Sequence, residues 1–154
     1  MAQVDTSADL STELFSVVGR FRRQLRRSTG GGGFDRSGLT QSQVELLRLV
    51  GRNPGISVRE AATELSLAAN TASTLVSKLT ADGLLIRAVD DVDRRVGRLH
   101  LVAPAQRIAD DSRHARRAAL ADALEELDPA QLDELTRGLH VLAELTRILQ
   151  ERQP

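Results

Sequence analysis

The chain has 154 residues, 41% of them hydrophobic and 27% charged, a composition typical of a folded globular protein rather than a disordered segment. Its 21 basic and 21 acidic residues cancel, so attraction of a polyanion cannot come from net charge and must depend on where the charges lie. The absence of cysteine excludes disulfides and thiolate metal sites, while the lack of a long apolar run or a secretory signal predicts a cytoplasmic protein without membrane contact.

A first helix is predicted over residues 7–28, where apolar residues recur at three- and four-residue steps. Leu10, Leu14 and Val17 lie on this stripe and are predicted to take part in dimerisation. The second half of the helix carries five arginines spread around its circumference: Arg20, Arg22, Arg23, Arg26 and Arg27. Two interpretations of them stay open, a solvated or structural role that includes pairing with acids of a partner helix, and an approach to a phosphate backbone.

Residues 29–38 are predicted to form a glycine-rich linker, because a run of glycines cannot hold a helix and is expected to be mobile. A phosphate-binding loop is the alternative. It is disfavoured because the segment lacks the Gly-Lys-Ser/Thr ending and follows no strand.

Residues 39–103 are predicted to form one domain, which begins with a helix over residues 40–50. Thr40 and Gln43 have the spacing of a capping box, in which each side chain binds the backbone N–H of the other residue. Three apolar residues of this helix are predicted to face inward: Val44, Leu47 and Val50. An Asn-Pro-Gly turn ends the helix, and Ile56 is expected to form a one-residue strand.

The next stretch has the pattern of two short helices joined by a tight turn. Ser57 and Glu60 form a second capping box at the start of the first of them. The second helix is predicted over residues 69–82, with Gly83 just after its C-terminus. Its buried apolar stripe has helical spacing and consists of Ala72, Leu75, Val76 and Leu79.

The opposite face of that second helix carries short hydrogen-bonding side chains and ends in the chain's only lysine. Such a face suits a helix that lies in the major groove of DNA and reads the base edges. The predicted DNA-contacting residues of this face are Asn70, Thr71, Ser73, Thr74, Ser77 and Lys78. An ordinary solvated face is the alternative interpretation.

After this helix the period changes to two, which predicts strands over residues 84–89 and 96–102 joined as a hairpin. Arg94 and Arg95 lie near its tip, and Arg98 lies on the second strand. A hairpin that directly follows a helix-turn-helix is the winged-helix arrangement, so these three arginines are predicted to contact DNA in a minor groove or at phosphates. Pairing of arginine with the neighbouring aspartates is the alternative, and both can hold together.

The last third of the chain is predicted to form two helices, over residues 104–127 and from Pro129 onward, with Asp128 as the N-cap of the second. The last helix has a leucine stripe that is too long for a helix without a partner. Its predicted dimerisation residues are Leu132, Leu135, Leu139, Leu142 and Leu149. We expect it to pack on the first helix and on a second copy of the chain, so that residues 7–28 and 104–152 form a helical dimerisation region.

This order of elements resembles the MarR family of winged-helix regulators. The most specific similarity lies in residues 79–85 (Leu-x-x-x-Gly-Leu-Leu) and residues 93–101 (Asp-Arg-Arg-Val-Gly-Arg-Leu-His-Leu), and the likeness extends over residues 10–149. It implies a mainly α fold: a winged helix-turn-helix with a two-stranded β-wing, and a helical dimerisation region from the N- and C-terminal helices.

Members of that family bind double-stranded DNA as homodimers, mostly repress transcription, and often release DNA when a small, frequently aromatic, ligand enters a cleft between the two lobes. The resemblance therefore implies a sequence-specific regulator of a pseudo-palindromic operator, with no cofactor and with a small-molecule effector as a further partner. Three features depart from the family pattern. Val102 and Ala105 stand where a threonine and a glycine are usual, Ala68 replaces a serine or threonine cap, and the glycine run suggests a looser hinge.

Two other classes of protein fit parts of the sequence. A winged-helix module that binds protein instead of DNA is compatible with the zero net charge. An enzyme has less support, because His100, His114 and His140 lie on different predicted elements without metal-ligand spacing. The aspartates near the hairpin tip lack the glycine and the distal glutamate of a calcium loop, so local pairing with the adjacent arginines is expected.

Overall fold

The computed structural model describes residues 2–30, 33–36 and 38–152, which form six helices, a three-stranded sheet and one short 3-10 turn. The helices are α1 (Ala2–Ser28), α2 (Gln41–Arg52), α3 (Val58–Glu64), α4 (Ala69–Ala81), α5 (Ala103–Glu125) and α6 (Pro129–Glu151). The strands are β1 (Ile56–Ser57), β2 (Leu85–Val89) and β3 (Gly97–Leu101), and the 3-10 turn is Gly33–Arg36. The predicted mainly α, winged helix-turn-helix fold is confirmed. Within the described ranges, no helix combines the length and hydrophobicity that a bilayer span requires.

Three helices begin at the capping boxes that the sequence predicts. Thr40, Ser57 and Asp128 each accept a hydrogen bond from the N–H three residues on, and the side chain of that residue binds the N–H of the cap in return. The six bonds measure 2.8 to 3.3 Å. By contrast, Ala68 and Val102 have the extended backbone of an N-cap but offer no side-chain acceptor, so α4 and α5 start uncapped.

The sheet links the start of the helix-turn-helix to the hairpin. Its strand order is β1-β3-β2, with both pairings antiparallel. Ile56 stands opposite Leu99, and Leu85 stands opposite Leu101. The expected short strand at Ile56 is therefore present and is one residue longer than predicted, which fixes the wing to the segment just before α3.

The core of the lobe formed by residues 39–103 is built around α2. Val44, Leu47 and Val50 are buried as predicted, but Leu46 and Leu49 are buried as well. Helix α2 has neighbours on more than one side, namely α3 and α4, strand β3 and helix α5. For that reason its apolar surface is wider than the single stripe of a helix that lies on a protein surface.

Helices α2 and α5 cross closely at Gly51. A Cβ atom placed on Gly51 would lie 2.9 Å from Cβ of Ala109 and 3.2 Å from Cδ1 of Leu101, so no larger side chain fits without displacement. The crossing is further held by Gln106, whose Nε2 donates to the carbonyl oxygen of Gly51 at 3.0 Å. Helix α5 is thereby fixed to the core of the lobe.

The segment between α1 and α2 contacts the lobe. Phe34 is 3% exposed and belongs to the same apolar core as α2 and α5. Gly33 has a φ of +77°, and a Cβ there would lie 2.9 Å from the side chain of Ser112 on α5. The sequence predicts a mobile linker that also includes Gly31 and Gly32. These two residues lie outside the part of the chain that the structure describes.

The long helices at the two ends of the chain are much less buried. Helix α1 begins at Ala2 rather than at residue 7, because no glycine or proline interrupts the residues before the predicted start, and it packs on α5. Helix α6 has no buried residue. The sequence predicts that α6 packs on the first helix. Within the described part of one chain, α1 instead packs mainly on α5.

Candidate nucleic-acid interface

Helix α4 presents the predicted polar face to solvent. All six of its predicted DNA-contacting residues are exposed: Asn70, Thr71, Ser73, Thr74, Ser77 and Lys78. On the other side of the same helix Ala72, Val76 and Leu79 are at most 2% exposed. The two faces are therefore separated as the helical spacing predicts, and the polar face is open to a partner.

The polar groups on this face differ in how far they are already bound. Oδ1 of Asn70 accepts the N–H of Thr71 at 2.8 Å, and the hydroxyl of Thr74 donates to the carbonyl oxygen of Asn70 at 2.9 Å. The amide NH₂ of Asn70 and an acceptor lone pair of Thr74 stay available. Within the described chain the hydroxyls of Ser73 and Ser77 form no hydrogen bond, so they can turn toward a base edge or a phosphate.

The cation at the end of the face is held loosely. Nζ of Lys78 lies 2.9 Å from Oδ1 of Asp82, with the lysine side chain 60% exposed. An exposed pair of this kind contributes at most about 1 kcal/mol and weakens with salt. A DNA phosphate can therefore replace Asp82 as the partner of Lys78 at little cost.

Two aspartates shape the tip of the wing. Asp90 Oδ1 accepts the N–H groups of Val92 (2.7 Å) and Asp93 (3.0 Å), and Asp93 Oδ1 accepts the N–H of Arg95 (3.0 Å). Such bonds from a short carboxylate to nearby backbone are the usual means of closing a tight turn. These oxygens of the two aspartates are thus engaged with the backbone of the wing rather than arranged around a metal ion.

Arg95 projects from this tip into solvent. Its side chain is 92% exposed, and its Nε lies 3.3 Å from Oδ1 of Asp93. Arg94 is exposed beside it. The carboxylate of Asp93 orients the guanidinium without burying it. The local pairing expected from the sequence is therefore present, and the contact of Arg95 with DNA stays a prediction.

Arg98 lies at the base of the wing, where it is bound on three sides. Its Nε donates to Oδ2 of Asp90 at 2.5 Å, its Nη1 donates to the carbonyl oxygen of Gly55 at 3.4 Å, and Nη1 lies 3.5 Å from Oε2 of Glu60. Glu60 is also the capping-box residue of α3. Arg98 therefore connects the wing, the turn before β1 and the first turn of the helix-turn-helix, a role that the sequence alone did not indicate.

The hydrogen bonds at the wing base change the acidity of its central carboxyl. The N–H of Asp93, the guanidinium of Arg98 and the N–H of Val92 together lower the pKa of Asp90 to about 2. Asp90 is therefore ionised throughout the neutral range. Its charge keeps the guanidinium of Arg98 at the base of the wing, away from the tip.

The predicted dimerisation residues lie on the exposed sides of α1 and α6. Leu10 is 64% exposed and Leu139 is 55% exposed. Val17, Leu132, Leu135 and Leu149 are exposed as well, and Leu14 and Leu142 are half-buried. Phe15, which was not included in the prediction, is the most exposed aromatic residue of α1 at 80%. Gly138 faces open space, since an added Cβ would contact nothing within its own chain.

A cleft lined with arginine lies between α1, α2 and α5. It consists of two adjoining cavities of about 330 and 520 Å³, which share Leu25, Arg48 and Arg116. Eight arginines line this arginine cleft: Arg22, Arg23, Arg26, Arg48, Arg52, Arg113, Arg116 and Arg117. Sequence reasoning noted those of α1 but could not find the cleft, because α2 and α5 supply the other five only in the folded chain.

The three histidines are placed apart, as expected. His100 lies on β3, His114 on α5 and His140 on α6. Among the described residues, no group of three or more histidine, aspartate or glutamate side chains could hold a metal ion. The groups that the fold does bring together are those of the polar helix face and the wing.

These features define the class: a winged helix-turn-helix protein that carries an arm of long helices. The family model described as MarR family matches residues 37–96, which include α2, the helix-turn-helix and most of the wing. Over these residues the chain is similar to the MarR family. No curated protein sequence shows a significant match to it.

Solved structures resemble the chain along most of its length. FabT from Streptococcus pneumoniae, in complex with DNA, is 20% identical with a TM-score of 0.72, over 93% of this chain and 96% of that one. A MarR family protein from Bacillus stearothermophilus is 22% identical with a TM-score of 0.68, over 92% and 96%. CouR from Rhodococcus jostii RHA1, bound to p-coumaroyl-CoA, is 21% identical with a TM-score of 0.61, over 87% and 94%. At such identities these likenesses concern the fold.

Proposed function

We propose that the protein is a transcriptional repressor that binds a pseudo-palindromic operator as a homodimer. The observation that carries the proposal is the exposed hydrogen-bonding face of α4, followed directly in the chain by a wing with an exposed arginine at its tip. A protein-binding module would not need both a row of short hydrogen-bonding side chains and an exposed cation beside it. The DNA-bound state of FabT, a protein of the same fold, supports this assignment.

The apolar surface of α1 and α6 supports the proposed homodimer. Leucines at three- and four-residue steps along a 23-residue helix with no buried residue leave a continuous apolar stripe in water. Soluble monomers seldom expose such a stripe, because burying it gains about 25 cal/mol per Å². A second copy presents the same stripe and can cover it about a two-fold axis. Residues 7–28 and 104–152 are therefore proposed as the dimerisation region.

On DNA, each copy would place α4 in a major groove and its wing at the flanking backbone or minor groove. The half-sites would be centred about 34–36 Å apart, one turn of the duplex. Asn70 and Thr74 are proposed to read bases, because each has a hydrogen-bonding group left over after its bonds within the chain. Arg94 and Arg95 are proposed to bind phosphates or enter the minor groove, where a narrow groove attracts guanidinium.

Arg98 is proposed to act on DNA binding through the wing rather than by contact. Its guanidinium is already bound by Asp90, Glu60 and the carbonyl oxygen of Gly55. Moving it to a phosphate would leave the carboxylate of Asp90, which is 15% exposed, without its cation. Its role is to hold the wing at a set angle to the helix-turn-helix.

A small-molecule effector is proposed to bind between the arm and the lobe. The arginine cleft is lined by α1 and α5 of the arm and by α2 of the lobe, so a ligand there touches both parts. The CouR structure holds a bound ligand in a protein of the same fold. An effector that prefers one orientation of the two parts would shift the spacing of the recognition helices and so release DNA.

The test is selection of bound sequences from random duplex DNA with the full-length protein, followed by binding isotherms. We expect an inverted repeat whose half-sites lie about 10 base pairs apart. Asn70→Ala or Thr74→Ala should relax base preference by about 1–3 kcal/mol at one position. Thr80→Ala is the matched control, because Thr80 makes the same hydroxyl bond to the carbonyl four residues earlier.

The outcome that contradicts the proposal is a failure to enrich any sequence together with no mobility shift at low salt. That result would favour the protein-binding module. Light scattering on the same sample measures the oligomeric state separately, and a monomer at micromolar concentration would remove the two-fold arrangement.

A further inference from the structure

We infer that the arginine cleft takes a small anion with at least two negative charges, either a phosphate compound or a polycarboxylate. The inference rests on the proposed function, since it names the chemical class of the effector of that same site. It is carried by the composition of the cleft, which differs sharply from that of the chain as a whole.

The cleft concentrates positive charge in a chain whose net charge is zero. Eight of the 21 basic residues line it, and Glu45 is the only acid among the described residues that do so. Glu45 lies 3.6 Å from one of the arginines, Arg22. Arg113 also has an acid partner, Asp110, at 2.7 Å. The arginines of the cleft that have no ion pair repel one another, and that repulsion is relieved most by a ligand that brings several negative charges at once.

Half of the eight guanidinium groups are unpaired. Within the described chain, Arg23, Arg26, Arg52 and Arg117 take part in no ion pair. These four come from α1, α2 and α5, so they converge on the cleft from three helices. Guanidinium is suited to this purpose because its planar N–H groups bind carboxylate and phosphate oxygens in pairs.

The lining disfavours an aromatic ligand with a single charge. None of the described residues that line the cleft is aromatic, so a ring would find no stacking partner. A single carboxylate brings one negative charge to four unpaired guanidinium groups and leaves most of their mutual repulsion in place. The number of charges on the ligand, rather than the presence of a ring, is therefore the expected basis of selection.

Acids of a partner helix are the competing source of negative charge. Helix α6 gives this source little support, because three of its four acids, all but Glu134, pair within the helix. Arg147 binds both Glu144 and Glu151, and Arg137 lies 3.6 Å from Asp133. A second copy that presents α6 would thus bring mainly carboxylates that already have a cation, with Glu134 as the exception.

The experiment is calorimetric titration of the full-length protein, without DNA, with three anions: inorganic pyrophosphate, citrate and benzoate. We expect pyrophosphate or citrate to bind at least tenfold more tightly than benzoate. The double variant Arg23→Gln/Arg26→Gln should weaken that binding at least tenfold. Arg20→Gln/Arg27→Gln is the matched control, since these two arginines are exposed on the same helix and do not line the cleft.

The three titrations distinguish between the possible classes of ligand. Binding of pyrophosphate alone assigns the cleft to phosphate compounds, and binding of citrate alone assigns it to polycarboxylates. Equal binding of benzoate, equal loss in the two double variants, or no binding of any anion would overturn the inference. A mobility shift on the selected operator, measured separately, keeps the two proposals distinct, because a protein that binds the anion without binding DNA would contradict only the regulatory function.

Discussion

The winged lobe and the long-helix arm solve the problem of burying apolar surface in different ways. In the lobe, α2 lies among helices and a sheet of the same chain, and Leu46, Leu47 and Val50 are fully buried. In the arm, the leucines of α6 repeat just as regularly, yet none is buried within the chain. The comparison teaches that the same periodicity forms a core when neighbours come from the chain itself, and that it predicts an interface with another molecule when they do not.

The largest expected effect comes from charging the arm. Leu135→Glu/Leu139→Glu would place two carboxylates in the proposed dimer interface, each costing several kcal/mol to bury unpaired. We expect the dimer to dissociate at least 100-fold more readily, while the lobe keeps its helical content. Sedimentation equilibrium and circular dichroism measure the two parts. Arg137→Ala on the same helix is the control and should leave the dimer intact, because residue 137 lies two positions from both Leu135 and Leu139 and so on the side of α6 opposite the leucine stripe.

The matching change in the lobe should act on stability instead of assembly. Leu47 is 0% exposed, so Leu47→Ala leaves a cavity and should lower the free energy of unfolding by about 2–5 kcal/mol. Denaturation by urea at two protein concentrations measures it. The loss should be the same at both concentrations, and a loss that grew on dilution would mean that this part of the lobe depends on the second copy.

Arg95 and Arg98 distinguish contact from positioning within the wing. Arg95→Ala should weaken binding to specific and scrambled duplex alike and reduce the slope of log affinity against log salt by about 1, since one phosphate contact is lost. Arg98→Ala should lower the affinity for DNA without changing the slope. Arg98→Lys should recover part of the affinity that Arg98→Ala loses. Binding isotherms at several salt concentrations supply the slopes. Identical slopes for wild type and Arg95→Ala would mean that Arg95 does not contact a DNA phosphate.

The wing base should respond to acid. The pKa of Asp90 is lowered to about 2 from an ordinary value of 3.8, so the folded state gains stability above the ordinary value and loses it as the pH falls through the lowered one. We expect the difference in the free energy of unfolding between wild type and Asp90→Asn to disappear between about pH 4 and pH 2. Urea denaturation of both proteins across this range measures the difference. A constant difference would mean that the charge of Asp90 does not support the wing.

The smallest effect is expected at the uncapped start of α4. Ala68 has φ −63° and ψ 146°, the extended conformation of an N-cap, but no side-chain acceptor. Ala68→Ser should raise the free energy of unfolding by about 1 kcal/mol, because serine can accept one of the free N–H groups of the first turn. Thermal denaturation measures the gain, and Ala69→Ser, one position further on, is the control without the cap geometry.

Much of the lobe could be predicted from local patterns. Thr40, Ser57 and Asp128 start their helices with capping boxes, and the hairpin strands lie within two residues of their predicted ends, because these features depend on residues close in sequence. The polar face of α4 followed from helical spacing alone.

The features that were missed depend on distant residues. Phe34 comes from a glycine-rich segment, and only the arrival of α5 beside α2 makes a buried site for it. Arg98 has the outward register of a strand residue, but Gly55 and Glu60, which bind it, are 43 and 38 positions away. The arginine cleft likewise needs three helices. Patterns of residues close in sequence do not indicate contacts between residues that are far apart along the chain.

The tight crossing at Gly51 fixes the N-terminal end of α5 to the lobe, while the rest of the helix extends away from it. The helix has 23 residues and is about 35 Å long, at a rise of about 1.5 Å per residue. A tilt of about 5° at its far end would therefore swing the lobe by about 3 Å, close to the rise of one base pair at about 3.4 Å. In the proposed homodimer, small changes in the arm would be enough to move the two α4 helices into or out of register with successive major grooves.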